Sequence, residues 1–245
     1  MSGIEALRYH DRGMCMERES STSALGGAWG DGPTDRRDFL KLAAKAGVAI
    51  GLVGSLPGCV IAAAGQKKLH FGDDFGVLNY AYALETLESK FYERVVAQPP
   101  SDLRAGELQI LSDIRNHEVQ HRRFFKRALQ VLRAEIPPMN FDSIDFNTRQ
   151  GVLTQAKAFE DLGVAAYNGA GERLKLAEFL TIAGKIVSVE ARHAAALRDM
   201  LEPNTRAFAG DDVVDANGLD KAMSPGDVLE VAQRYFRTPF RIAGL

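Results

Sequence analysis

The sequence predicts an all-α body built as a four-helix bundle, with a short fifth helix at the C-terminal end. Three observations carry that reading. From Asp74 onward, apolar residues recur at spacings of three and four, the period of an amphipathic helix. The longest stretch with any strand-like alternation is Phe141 to Phe146, so no strand is expected. Proline pairs at Pro99-Pro100 and Pro137-Pro138 cut the periodic run, and one connection, after the second helix, is much longer than the first. Such a crossover makes the two middle helices parallel.

Each element has its own signal. Val77, Leu78, Ala81, Leu84, Leu87, Phe91 and Val95 form the apolar stripe of the first helix, which Pro99 stops. Ser101-Asp102 offers a cap for the second, which carries Leu103, Leu108, Leu111, Ile114, Phe125, Leu129 and Leu132 toward Pro137. A polar stretch follows from Met139 to Asn147. The third pattern runs through Val152, Leu153, Ala156, Phe159, Leu162 and Ala166, and frays at Gly169 and Gly171. The fourth runs from about Leu176 through Leu180, Ile186, Val187, Ala194 and Leu197, ending before Pro203. Residues 204–223 read as loop, and Ser224-Pro225 starts the last short helix through Phe236. Main helices of about 20–30 residues are roughly 30–45 Å long, which suits a bundle.

The chain has 245 residues, 46% hydrophobic and 25% charged, with a formal net charge of −2. Those proportions exclude wholesale disorder and collagen, and the lack of a basic excess leaves no case for nucleic acid as a partner. Two cysteines, Cys15 and Cys59, make no disulfide framework and no CxxC metal site. Residues 1–35 are polar and glycine-rich without periodicity and read as disordered. Residues 36–64 differ. Arg36-Arg37, Phe39-Leu40-Lys41 and a Gly/Ala-rich apolar run from Leu42 to Ala64 resemble a bacterial twin-arginine export signal, with Asp35 where Ser or Thr is usual. That resemblance implies the twin-arginine machinery as a partner and a periplasmic or envelope destination. Leu56-Pro57-Gly58-Cys59 resembles a lipobox, which would anchor Cys59 to lipid. Ala62-x-Ala64 suits ordinary signal peptidase instead, and both cuts stay open. The bundle then occupies residues 72–202, with a C-terminal extension over 203–245.

The chemistry lies in two Glu-x-x-His motifs, Glu118 to His121 and Glu190 to His193, near the middles of the second and fourth helices. Three residues turn a helix by about 300°, so each Glu shares a face with its His. The first and third helices each place a Glu inside the apolar stripe, Glu85 and Glu160, with a Tyr seven residues on, Tyr92 and Tyr167. Seven residues are two turns less about 20°, so each Tyr lies on its Glu's face and can hydrogen-bond groups of the site. Glu85 and Glu118 are 33 apart, Glu160 and Glu190 30 apart, so the body reads as two related helix pairs.

A Glu from each of two helices and a Glu-x-x-His from each of the other two resemble the di-iron or di-manganese carboxylate site of the ferritin-like superfamily. The pattern from Leu84 through Tyr92, Leu-Glu-x-Leu-Glu-x-x-Phe-Tyr, is similar to exported ferritin-like-domain proteins. The resemblance implies Glu85, Glu118, His121, Glu160, Glu190 and His193 as ligands of two Fe or Mn ions, with Glu118 and Glu190 bridging. It implies oxidative chemistry linked to dioxygen or peroxide, without fixing a reaction or an oligomeric state; a homo-oligomer stays open. Four carboxylates balance two divalent cations, and oxygen and imidazole donors without cysteine suit Fe or Mn over structural zinc.

Other residues have plainer readings. Glu88 is an alternative ligand or an exposed helix residue. Arg122, Arg123, Lys126 and Arg127 read as a solvated face, and Tyr80 and Tyr82 as packing or interface residues. Gly163, Gly169 and Gly184 would allow close helix approach. Two competing functions remain. His117-Glu118-Val119-Gln120-His121 matches the H-E-x-x-H zinc protease motif, in which His117 would be a ligand. In the di-metal reading His117 is instead a supporting neighbour of His121. The other competitor is a metal-free structural or stress-protective bundle at the envelope.

Overall fold

The computed structural model describes residues 68–239 and 241–243. The expected disordered segment over residues 1–35 and the expected export signal, with Arg36, Arg37 and Cys59, lie outside the described residues. Four long helices dominate: α1 (Asp74–Ala97), α2 (Glu107–Leu129), α3 (Arg149–Gly171) and α4 (Ala177–Leu201). A short helix α5 (Pro225–Ala232) follows, and the strands β1 (Lys68–His70) and β2 (Arg241–Ala243) pair in parallel, Leu69 against Ile242. The body is all-α as the sequence predicts; this three-residue pair at the two ends is the addition. Three residues are too short to show an alternating period, and the pairing is non-local.

Side-chain caps set several starts. Asp73 accepts from the Gly76 amide at 3.0 Å to open α1, and Thr148 accepts from the Gly151 amide at 3.1 Å to open α3. Ser224 accepts from the Asp227 amide at 3.2 Å, with Pro225 as the first residue of α5. The second helix departs from expectation. Ser101-Asp102 is not its cap, and Leu103 lies outside it. Asp102 instead accepts from the Arg149 amide, at 2.7 Å, and so serves α3. The chain enters α2 through Gly106, whose φ of +86° is a left-handed conformation that glycine adopts without strain. It leaves through Gln130 at φ 47° and one 3-10 turn over Gln130–Leu132, short of Pro137.

Hydrogen bonds at the helix ends give the directions. Asn79, near the start of α1, donates to the Leu132 carbonyl just past α2, and its side-chain oxygen accepts from the Ala134 amide. Asp74 accepts from the Lys175 and Leu176 amides between α3 and α4. At the opposite end, Arg149 opens α3 and bonds Glu107, at the start of α2, and the Met200 carbonyl, at the end of α4. Helices α2 and α3 therefore run the same way, and the 130–148 crossover travels the bundle's length. On the way Phe141 and Phe146 pack against Phe91, with ring centroids 6.3 and 5.5 Å away. Phe91 also meets Phe159 edge-on at 5.2 Å, and burying such a side chain contributes about 1.5–3 kcal/mol.

The C-terminal extension lies along α3. The Met223 amide donates to the Ala165 carbonyl, and a Cβ added at Gly169 would sit 1.8 Å from the Met223 carbonyl oxygen. Glycine at 169 is required by that backbone approach. Gly163 is also a close approach, but Gly184 has open space around it. Among the described residues, no helix is long and apolar enough to cross a membrane.

Candidate metal centre

Each of the four long helices contributes to one buried cluster at the middle of the bundle. Glu85 comes from α1, Glu118 and His121 from α2, Glu160 from α3, Glu190 and His193 from α4. The four glutamates are fully buried, and His193 is 5% exposed. Their donor atoms fall into two overlapping groups. Glu85, Glu118, His121 and Glu190 form one; Glu118, Glu160, Glu190 and His193 form the other. Within each group the donor atoms lie within 4.8 Å of one another.

Glu118 and Glu190 belong to both groups, and their oxygens are divided between them. Glu118 Oε2 is 3.6 Å from His121 Nδ1, while its Oε1 is 3.2 Å from His193 Nδ1. Glu190 Oε1 is 2.9 Å from His121 Nδ1, and its Oε2 is 3.3 Å from His193 Nδ1. Glu85 closes the His121 side at 3.4 Å and Glu160 the His193 side at 3.2 Å.

The two tyrosines cross over. Tyr92 of α1 donates to Glu160 of α3 at 2.6 Å, and Tyr167 of α3 donates to Glu85 of α1. Each Tyr thus serves the other helix's Glu, as antiparallel α1 and α3 require. His117, one helical turn before His121 on α2, also reaches across to α4. Its Nδ1 is 2.9 Å from His193 Nε2, and the two rings stack at 5.2 Å, 7° from parallel. It lies one residue before Glu118 on α2 and so points at α4 across the helix interface. His117 belongs to neither donor group, so the two histidines of the protease-like motif do not converge on one point.

The electrostatics are those of crowded carboxylates. Burial pushes Glu118 up to about 7, with the neighbouring glutamates adding to the rise against the pull of the two histidines. Burial pushes Glu160 up to about 8 despite His193 beside it. His193 moves oppositely to what burial alone would do, since the surrounding carboxylates raise it to about 12. His121 is raised for the same reason, with the Glu85 charge foremost. Burial and the Glu160 charge also raise the Tyr92 phenol, which stays neutral and donates.

Glu88 is the residue whose plain reading fails. It is buried rather than exposed, lies in neither donor group, and packs where Gly163 leaves space: a Cβ there would be 3.0 Å from Glu88 Oε1. Burial first, then the charges of Glu160, Glu118, Glu190 and Glu85, push its carboxyl well above the usual range. The basic run is only partly a solvated face. Arg122 bonds Ser89 and Glu93 of α1, each at 2.8 Å, while Arg123, Lys126 and Arg127 are exposed. Tyr80 and Tyr82 are both buried, and the Tyr80 hydroxyl has no hydrogen-bond partner. The clamp of Arg149 on Glu107 has one sequence signal, an Arg in the first turn of a helix, where the dipole disfavours it.

The donor set fits a cation. Both oxygens of Glu118, both of Glu190, Glu85 Oε2 and His121 Nδ1 are buried with only the carboxylate–imidazole contacts of the cluster and no aligned hydrogen bond. Buried carboxylates left so are costly unless a cation or protons satisfy them. All belong to the two overlapping donor groups, so the cluster could hold a metal. A helical bundle with a long crossover and a carboxylate–histidine cluster at its middle is the class these features define. Residues 73–203 match the model of the ferritin-like domain, more than half of the chain, and the protein belongs to that family. No curated relative matches the chain.

Proposed function

We propose that the cluster holds two Fe or Mn ions and that the protein is an exported oxidoreductase of dioxygen or peroxide. The observation that carries this reading is the division of the Glu118 and Glu190 oxygens between His121 and His193. Carboxylates so placed would be shared by the two ions, with Glu85 and His121 holding one and Glu160 and His193 the other. The metal pair would supply electrons to the oxidant. The chain's own groups do the rest. Tyr92 and Tyr167 fix the terminal carboxylates by hydrogen bonds, His117 holds the His193 ring from its far nitrogen, and the apolar core around Phe91 and Phe159 keeps bulk water out. Glu88, whose carboxyl burial holds well above the usual range, packs beside the cluster against Gly163.

Metal analysis tests the assignment. Wild-type protein should carry two ions per chain, and Glu118→Ala should lose most of both, because it contributes to both groups. Glu85→Ala should lose chiefly one. Full occupancy in Glu118→Ala would sink the assignment.

Export rests on the sequence around Arg36 and Arg37. The twin-arginine route carries folded proteins and would let metal load before translocation, with a lipid anchor at Cys59 as an alternative end state. Replacing both arginines by Lys should leave precursor in the cytoplasm; processing that survives the change counts against the route.

A further inference from the structure

A cavity of about 350 Å³ lies between the α3–α4 pair and the C-terminal extension, within the roughly 300–1,000 Å³ of small-molecule sites. It shares no residue with the donor cluster. Ala158, Leu162 and Ala165 of α3 follow one another at four and three, as do Ala191, Ala195 and Arg198 of α4, so each helix gives it one face. The opposite wall is the extension, with Phe208, Val213 and Val214.

That wall is tied to the bundle. Arg198 Nη1 donates to Asp212 at 2.6 Å, and the Asp212 carbonyl accepts from Lys221 Nζ. The Asn168 side chain donates to the Lys221 carbonyl at 3.1 Å, and the Met223 amide donates to the Ala165 carbonyl at 3.0 Å. Across the extension itself, the Lys221 amide donates to the Val213 carbonyl at 2.9 Å. The cavity is thus shaped by the fold, and a guest need not spend binding energy on ordering its walls.

Charge decides what fits. The charged side chains of the lining are Asp161 and Asp220 against Arg198 and Lys221, so the signs balance. Arg198 is buried and turned to both Asp161 and Asp212, at 2.6 to 3.3 Å. An ion of either sign would lose hydration here without gaining a free counter-charge. Most of the remaining lining is apolar, and Phe208 at its edge is 58% exposed. Water against such walls has few partners, and displacing it by apolar surface is favourable. One polar contact stands out: Lys221 Nζ has three N–H groups, and the Asp212 carbonyl takes one.

We infer that this cavity is a binding site, apart from the metal centre, for an uncharged and largely hydrocarbon organic molecule carrying one hydrogen-bond acceptor. The hydrocarbon lies between the alanines of α3 and α4 and the side chains of Phe208, Val213 and Val214, with the acceptor toward Lys221. Neither the number nor the kind of metal ions enters this assignment.

The probe is prodan, an uncharged naphthalene ketone whose fluorescence reports polarity, titrated into the full chain. One molecule per chain should bind with blue-shifted emission, and nuclear Overhauser contacts should run from it to the Ala165, Ala195 and Val214 methyls. Ala195→Trp should abolish binding by filling the space; Ala158→Phe, on the exposed part of the wall, serves if that variant does not fold. Lys221→Met should weaken binding about 10-fold, the loss of one hydrogen bond from a charged donor. The anionic anilinonaphthalene sulfonate should bind at least about 10-fold more weakly than prodan, since its charge enters unpaired. Leu180→Gln, on an exposed apolar residue outside the cavity, should change nothing. Absence of saturable binding, its survival in both filled variants, its loss in Leu180→Gln, or equal affinity for the sulfonate would overturn the inference, and an unchanged Lys221→Met would overturn the acceptor. The titration should be the same in metal-loaded and chelator-treated protein; a probe that binds only one of them belongs to the metal centre and also overturns it.

Discussion

Replacing Arg149 by Met should destabilise the bundle by about 3–5 kcal/mol, the usual cost of removing one partner of a buried ion pair. The size follows from the contacts. Arg149 Nε lies 3.0 and 2.8 Å from the two Glu107 oxygens and its Nη2 lies 2.6 Å from Oε1, a fork-to-fork pair. Nη2 also donates to the Met200 carbonyl. With side chains only 10% and 8% exposed, water cannot replace the lost partner well. In the variant Glu107 keeps one bond, from the Arg104 amide at 2.8 Å, and the Met200 carbonyl loses a donor.

For a folded region of this size about 2–4 °C of melting temperature accompanies each kcal/mol, so the fall should be about 6–20 °C. The assay is thermal and urea unfolding of chelator-treated protein, with the double variant Arg149→Met/Glu107→Leu alongside. The double variant should be more stable than Arg149→Met, since it leaves no unpaired buried charge. Acid should discriminate too. Against burial, the Arg149 contacts hold Glu107 below its ordinary 4.5, so its ionisation contributes stability above that pH and loses it as pH falls lower. That loss should be smaller in Arg149→Met. Glu107 precedes Glu118 by about three turns, roughly 16 Å, so bound metal should survive in whatever folds. A cost under about 1 kcal/mol, or a double variant worse than the single, would refute the clamp.

Metal and pH should be coupled in a definite direction. In metal-free protein Glu118 and Glu160 rise from 4.5 to about 7 and 8, and His193 from 6.5 to about 12. Each such shift stabilises the protonated fold below the unfolded value and is lost as pH rises through the folded one. Stability of the metal-free protein should therefore fall between about pH 5 and 9, and affinity for Mn should rise with pH as bound protons are released. Paired melts with and without metal check this, and a gap that narrows with rising pH would contradict it. Separately, His193→Ala should cost more bound metal than His117→Ala, for which about 10–100-fold weaker affinity is the expected limit. The reverse order, read by metal content after dialysis, would favour the H-E-x-x-H reading.

The helices were legible because four long stretches repeat at the helical period and prolines separate them. Their ends were less so, and the reasons are tertiary. Asp102 looks like a cap in sequence, but the Arg149 amide, forty-seven positions away, takes its carboxylate. The two strands carry no signal in three residues each. In the site, periodicity could say which residues share a face but not what the face meets. Tyr92 does lie with Glu85, yet its hydroxyl reaches Glu160, because α1 and α3 run antiparallel. Its own helix puts His117 one turn from His121, but only the tertiary structure brings it to His193 on α4. Glu88 was ambiguous because α1 is buried over most of its circumference, so a Glu off the apolar stripe is still inside. Only the neighbouring glycine, Gly163, marks the space that receives it.

The two halves of the bundle repeat a plan and then break it, and the breaks bear on chemistry. Glu85 and Glu160 correspond, as do Tyr92 and Tyr167, and each Tyr bonds across the axis to the other half's Glu. Three residues past these glutamates stand Glu88 on α1 and Gly163 on α3. Two acids could not both occupy that crossing: a Cβ alone would already be 3.0 Å from Glu88 Oε1. One step before the paired Glu-x-x-His motifs stand His117 on α2 and Val189 on α4. His193 consequently has an imidazole behind it, and no equivalent histidine stands behind His121. The two sides of the donor cluster are therefore not equivalent: His193 meets carboxylates with one ring nitrogen and the stacked His117 with the other, whereas His121 Nδ1 meets the carboxylates of Glu85, Glu118 and Glu190 with no imidazole behind it.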